Sequence, residues 1–172
     1  MNETPLNEQF STGDDEVLAA AIMTYGQPLL RYCHHVLCDY HEAQDAVQTA
    51  FIKAYESRAR FQSGTNLRAW LYKIAYRVCV DLLRQKKRQL FAPPRSQNPD
   101  YIGPELRRAL ETLSPLDRGL VFGRVLEKLS YEELSQIYGK SAAALRKRYE
   151  RARKKLAAEL SRERQEELEV TL

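Results

Sequence analysis

The sequence predicts an all-α protein made of two small helical domains joined by a proline-rich linker. Three observations carry that expectation. Apolar residues recur at i, i+3, i+4 and i+7 in one segment after another, which is the period of helices with one buried face, and the N-terminal half shows no strand-like alternation. Glycine and proline number only seven each, which favours helices. Four of those prolines and one glycine fall in a single stretch, Leu90–Pro104, which cannot hold a regular helix and so separates two helical parts.

At 172 residues the chain fits one domain or two small ones, and its 44% hydrophobic and 29% charged residues are ordinary for a soluble globular protein. No apolar run approaches the ~20 residues that span a bilayer. The segment Met1–Phe10 lacks the positive and apolar parts of a secretory signal, so a cytoplasmic protein with no membrane insertion is expected. Three cysteines without a framework point to reduced thiols. Cys33, His34, His35, Cys38 and His41 cluster, but Cys33 and Cys38 point apart on a helix and no spacing fits a structural zinc motif. The expectation is buried thiols and surface histidines, with no metal and no other cofactor. There is no glycine-rich phosphate loop, nucleophile motif or spaced carboxylate pair, so an enzyme is not expected.

Taken in order, residues 1–13 are polar, lack periodicity and are expected to be a flexible N-terminus. A helix starts near Asp14, with Val17, Leu18, Ala21, Ile22, Tyr25, Leu29, Cys33, Val36 and Leu37 as its stripe and Pro28 as a potential kink. Asp39–His41 reads as a turn. The next helix, about Glu42–Arg58, buries Ala43, Ala46, Val47, Ala50, Phe51, Ala54 and Tyr55, and leaves Asp45 and Gln48 off the stripe. Arg58–Thr65 is a loop broken by Gly64, and Thr65 or Asn66 caps the long helix beyond it.

The helix from Asn66 to Arg88 is the most informative segment. Leu67, Trp70, Leu71, Ile74, Ala75, Val78 and Leu82 face a core, while Arg68, Tyr72, Lys73, Tyr76, Arg77 and Arg84 occupy the other side, with Lys86–Arg88 at the end. Cations interleaved with aromatics suit single-stranded nucleic acid, because cations follow phosphates and rings stack on unpaired bases. A solvated charged face with tyrosines covering the core edge is the plainer alternative.

Beyond the linker, a helix is expected near Glu105–Leu113. Ser114-Pro-Leu-Asp117 then opens a helix to about Lys128, and Ser130-Tyr-Glu-Glu133 opens a short one to about Tyr138. Gly139 fits a left-handed helix end. Ser141 caps a longer helix, Ala142 to about Leu160, bearing Arg146, Lys147, Arg148, Arg151, Arg153, Lys154 and Lys155 against one acid, Glu150. A short helix, a glycine-bearing turn and a longer basic helix make a helix-turn-helix, in which the second helix reads double-stranded DNA. A double-strand reader tethered to a helix suited to unpaired bases is what locating and opening a promoter requires.

These segments resemble bacterial RNA polymerase sigma factors of the extracytoplasmic function (ECF) group. Asp39-Tyr-His-Glu-Ala-Gln-Asp-Ala-Val-Gln-Thr-Ala-Phe51 resembles the polymerase-binding signature of sigma region 2. Leu67-Arg-Ala-Trp-Leu-Tyr-Lys-Ile-Ala75 with Asp81-Leu-Leu-Arg84 resembles the promoter-melting helix, and Leu129–Arg153 resembles region 4. The resemblance implies region 2 over 14–88, a linker over 89–104 that threads the RNA exit channel, region 4 over 105–160 and an acidic tail over 161–172. It places Asp45, Gln48 and Phe51 against the clamp helices of core polymerase, although Phe51 also suits a core position. Arg58, Arg60, Phe61, Arg68, Tyr72, Lys73, Tyr76, Arg77 and Arg84 fall on the single-stranded −10 element. Region 4 docks on the polymerase flap, with Ser141, Arg146, Lys147, Arg148, Glu150 and Arg151 at the double-stranded −35 element. A monomer when free and an anti-sigma protein as a further partner are also implied.

Two departures bear on specificity. Arg77 stands where many relatives have asparagine, and Ala142-Ala-Ala144 replaces a more usual Gly-Thr ending, leaving an apolar start that touches a thymine methyl at most. The competing reading is a one-component helix-turn-helix regulator. It calls for a dimer on a palindromic site, and it leaves the Asp45/Gln48 surface unexplained.

Overall fold

The structure, a computed structural model, describes residues 3–62, 65–88 and 102–170. Among them every regular element is helical: α1 (Glu3–Gln9), α2 (Asp15–Leu37), α3 (Tyr40–Glu56), a 3₁₀ turn (Arg58–Arg60), α4 (Leu67–Arg88), α5 (Pro104–Glu111), α6 (Pro115–Val125), α7 (Tyr131–Tyr138) and α8 (Ala142–Val170).

Local chemistry sets most of these boundaries. The Asp14 carboxylate accepts the N–H groups of Glu16 and Val17 to start α2. Pro28 lies within α2 without ending it, and Cys38 closes the helix in the left-handed region at φ 57°. Asp39 caps α3, and Asn66 caps α4 by accepting from Ala69 N at 3.1 Å. Ser114 starts α6 through Asp117 N. Ser130 and Glu133 satisfy each other's backbone N–H at the start of α7, Gly139 ends it at φ 65°, and Ser141 accepts from Ala144 N to start α8.

Two expectations are corrected here. Residues 1–13 are not simply a flexible tail: α1 forms there, and Phe10 behind it is 1% exposed. The last helix does not stop near Leu160 but runs to Val170, because nothing from 161 to 170 is a proline or glycine and Arg162 pairs with Glu159 at 2.7 Å. The linker expected over 89–104 falls mostly outside the described residues; Ile102 is buried, and Gly103 caps α5.

In the first bundle α3 lies between α2 and α4. Its inner face is four alanines, Ala43, Ala46, Ala50 and Ala54, each at most 1% exposed, so both neighbours approach closely. In the second, Leu110, Leu113, Val121 and Leu156 hold α5 and α6 against α8. The helix-turn-helix residues Leu129, Leu134, Ile137 and Leu145 are buried too, but they belong to the apolar cluster of α2–α4 rather than to that of α5 and α8. The two bundles therefore share a core, with α6 on α2 and α7 on α4. Gly119 permits this: a Cβ there would lie 2.6 Å from the Tyr138 hydroxyl and 2.7 Å from that of Tyr32.

Candidate nucleic-acid and partner-binding surfaces

The first surface is an apolar groove of about 630 Å³ between α2 and α3. Leu18, Ile22, Leu30, Val47 and Phe51 line it, with Gln48 at its edge. Ile22 is 44% exposed and Ile52 59%. Asp45 and Gln48 are exposed, as their places off the apolar stripe require. Phe51 is 5% exposed, so it serves the bundle core and the groove floor together. The stripe of α2 places Ile22 in the core; in the structure it faces the groove instead. Ile52 and Met23, 84% exposed, carry no periodic signal.

The second surface surrounds the start of α4. Arg60, Phe61, Thr65, Asn66, Trp70 and Lys73 line a pocket of about 280 Å³, and Gln136 of α7 reaches its rim. Phe61 is buried and packs against Trp70 with ring centroids 5.3 Å apart. Arg58 turns back, donating to the Tyr55 carbonyl at 2.7 Å with its guanidinium 3.9 Å from the Tyr55 ring. Arg77 and Arg84 are exposed on α4, with Arg84 3.6 Å from Asp81.

The remaining members of the expected melting face are not displayed. Tyr72 is 0% exposed, and burial followed by the nearby Glu127 carboxylate drives its phenol pKa well above the ordinary value. Tyr76 packs edge-on against Tyr138 of α7, with centroids 4.8 Å apart. Arg68 donates to the Glu127 carbonyl and lies 3.7 Å from the Glu133 carboxylate. The reason is the second bundle. The turn between α6 and α7 inserts Glu127, 5% exposed, against α2 and α4. Its carboxylate accepts from Arg31 Nε at 3.1 Å, Arg31 Nη2 at 3.3 Å and the Tyr72 hydroxyl at 3.2 Å. Asn66 donates to Glu133 at 3.1 Å, and the Tyr32 and Tyr138 hydroxyls share a hydrogen bond of 2.7 Å. Buried Arg118 donates to the Val36 carbonyl at the end of α2 and to Leu110, and His35 stacks on Phe122 at 3.9 Å. Periodicity places Arg68, Tyr72 and Tyr76 away from their own bundle's core. It carries no sign that a second bundle covers them.

The third surface is the outer face of α8. Arg146, Lys147, Glu150 and Arg151 are exposed and line one shallow depression. The Arg146 guanidinium sits 4.8 Å from the Tyr131 ring, and Glu150 pairs with Arg153 at 3.0 Å. Ser141 is spent as the helix cap. Arg148, expected beside them, faces α6: it donates to Asp117 at 2.6 Å and to Ser114 at 3.2 Å, fixing the recognition helix instead of projecting from it. The cysteines are free and buried, and no group of three or more His, Cys, Asp or Glu suited to a metal occurs among the described residues. Nor is any helix among them long and apolar enough to cross a membrane.

Comparison with known proteins adds to this geometry. The family model described as Sigma-70 region 2 matches residues 21–89, and that described as Sigma-70, region 4 matches 104–156. The chain is similar to RNA polymerase sigma factor CarQ of Myxococcus xanthus, 35% identical over 66% of this chain and 72% of that one. It is also similar to ECF RNA polymerase sigma factor SigE of Mycolicibacterium smegmatis, 27% identical over 85% of this chain and 63% of that one. ECF RNA polymerase sigma factor SigW of Bacillus subtilis is 34% identical over 46% of this chain and 43% of its own. The matched segments thus span less than two thirds of SigE and SigW. Two solved structures share the fold. Sigma factor RpoE in complex with the anti-sigma factor NepR, from Bartonella quintana, aligns with a TM-score of 0.71 at 24% identity, covering 83% of this chain and 96% of that one. CnrH in complex with the cytosolic domain of CnrY gives 0.72 at 21%, covering 92% and 97%.

Proposed function

The chain belongs to the ECF group of RNA polymerase sigma factors, and on that premise we propose that it is a promoter-reading subunit of the polymerase, working by binding alone. The groove between α2 and α3 takes the polymerase clamp helices, with Asp45 and Gln48 as polar contacts beside the apolar floor. The exposed face of α8 enters the −35 major groove, where Arg146, Lys147, Glu150 and Arg151 can reach base edges and phosphates. The pocket bounded by Phe61, Trp70 and Lys73 takes an unpaired base of the −10 non-template strand. Stacking there contributes about 1–3 kcal/mol, comparable to the cost of unstacking one step.

The observation that carries this reading is the α2–α3 groove, an exposed apolar surface that folding leaves unfilled on the first bundle while a basic reading helix stands on the second. The one-component alternative leaves the Asp45/Gln48 surface beside that groove unexplained. In the closed arrangement Arg68, Tyr72 and Tyr76 are held by α7 and Glu127, so melting requires the second bundle to leave α4. Polymerase docking at two separated points supplies the differential binding for that change. An anti-sigma partner, of the kind bound to RpoE, would act in the opposite sense by favouring the closed form.

The deciding experiment is in vitro transcription with core polymerase on a fragmented genomic library. Discrete new start sites preceded by a shared two-part element are expected. Core polymerase that binds the protein normally yet starts nowhere new, beside an active control sigma factor, would refute the reading.

A further inference from the structure

We propose that the N-terminal arm, α1 with Phe10, is a positioning element of the −10 reading site. Phe10 is 1% exposed, although it stands in a polar segment. Its ring meets Phe61 edge-on, centroids 6.0 Å apart at 88°, and Trp70 at 5.8 Å and 70°. Phe61 and Trp70 are two walls of the 280 Å³ pocket, so Phe10 is the backing of those walls. A ring lost there leaves a cavity into which its neighbours Phe61 and Trp70 relax in part, shifting the pocket walls.

A second contact from the same arm fixes the adjacent backbone. Asn7 Oδ1 accepts the N–H of Leu67, the first residue of α4, at 3.1 Å, while Asn66 takes the N–H of Ala69. Two of the donors left open by the helix start are thus satisfied from different segments, which holds the Thr65–Asn66 approach to the pocket in one conformation. The turn at Gly13 lets the arm lie there. A Cβ at that position would fall 2.6 Å from the Val17 Cβ and 2.8 Å from the Gln9 carbonyl oxygen, so only glycine lets the chain fold back so closely. Phe10 is buried away from the pocket and touches nothing that binds there; it acts through Phe61 and Trp70, and Asn7 acts through Leu67.

The inference rests on the pocket being the −10 site, and the test separates the two. Full-length protein assembled with core polymerase is titrated with single-stranded non-template oligonucleotides from a promoter mapped by transcription, carrying each of the four bases in turn at the −10 positions. Duplex −35 DNA and core affinity are measured alongside. Phe10→Ala is expected to weaken the best oligonucleotide about tenfold and to flatten the preference among bases, the scale of one stacking contact. Core and −35 affinities should stay within about twofold. Phe10→Leu, which refills the space, recovers most of the loss. Asn7→Leu, which deletes the acceptor, shows the same pattern at smaller size, whereas Asn7→Asp keeps it and behaves as wild type. If Phe10→Ala does not fold, the Asn7 pair decides. Arm variants that lower the melting temperature but leave oligonucleotide affinity and base preference intact would overturn the proposal. If Lys73→Ala also binds unchanged, the −10 assignment of the pocket fails instead.

Discussion

Asp45 and Arg146 are the residues on which the two halves of the functional reading turn. Asp45 is exposed beside an apolar groove, and reversing its charge should abolish core-polymerase binding while leaving −35 DNA binding intact; unchanged core affinity for Asp45→Arg would sink that assignment. Arg146 and Arg148 make a sharper pair, because the sequence ranks them alike and the structure does not. Arg146→Ala should weaken cognate −35 binding by about 1–3 kcal/mol with little effect on random DNA, whereas an equal loss on both makes it a phosphate contact. Arg148→Ala should instead lower thermal stability, because it strips Asp117 of a hydrogen-bonded partner at 2.6 Å. Legibility at this scale obeys a rule. Asp45, Gln48 and Arg146 lie off apolar stripes and are exposed; Arg148 stands three residues after Leu145 and four before Ala152, at the edge of the buried stripe, where its fork meets the Asp117 carboxylate of α6, a partner no local pattern names.

Helix starts were the most legible elements. Asp14, Ser114, Ser130 and Ser141 each cap the helix the sequence assigns to them, because a cap is decided within three or four residues. The crossing of α2 by α6 was not legible, since it depends on Gly119, which reads locally as a helix-weakening residue. Its role is the space it leaves for the Tyr32 and Tyr138 hydroxyls. Gly119→Ala therefore sets two effects against each other. Alanine favours α6 itself by up to about 1 kcal/mol, but its methyl overlaps both hydroxyls and forces the helices apart at a cost of about 1–3 kcal/mol. The second effect should win, and the variant should show a larger radius of gyration in solution scattering with helical content unchanged. A compact variant would mean that the tyrosines move aside at no cost. The α1 arm was missed for a related reason: Leu6 and Phe10 alone give a single i, i+4 pair, too short a run to distinguish from noise, and the burial of Phe10 is decided by Phe61 and Trp70, far along the chain.

The whole molecule is held closed by a shared apolar core and by polar contacts that span the two bundles, those of Glu127 among them. Glu127 is nearly buried, its carboxylate serves Arg31 and Tyr72, and its backbone carbonyl serves Arg68. Arg31 is half-exposed, which limits what the ion pair alone contributes. Glu127→Ala leaves the buried Tyr72 hydroxyl without its acceptor and should shift the balance toward the open form by about 1–3 kcal/mol, roughly 5- to 150-fold. Fluorescence energy transfer between dyes on α3 and α8 reads this directly, and unchanged transfer would show that the shared apolar core, not Glu127, keeps the bundles together. The two-domain organisation was readable from composition; the shared core was not, because Leu129, Leu134 and Ile137 satisfy a helix-turn-helix on paper before any partner is considered.

On the proposed reading, that closure changes what the protein can bind while it diffuses alone. A cell offers a basic chain an enormous excess of irrelevant DNA, including unpaired strands at replication forks and behind transcribing enzymes. An affinity that exists only in the open form is diluted by the fraction of time spent open: a molecule open about 1% of the time binds stray single strands about a hundredfold more weakly than its exposed surface would allow. If Tyr72 and Arg68 grip the opened strand as proposed, folding them against the second half would spare the chain capture by every accidental bubble and keep that grip for the bubble its polymerase makes.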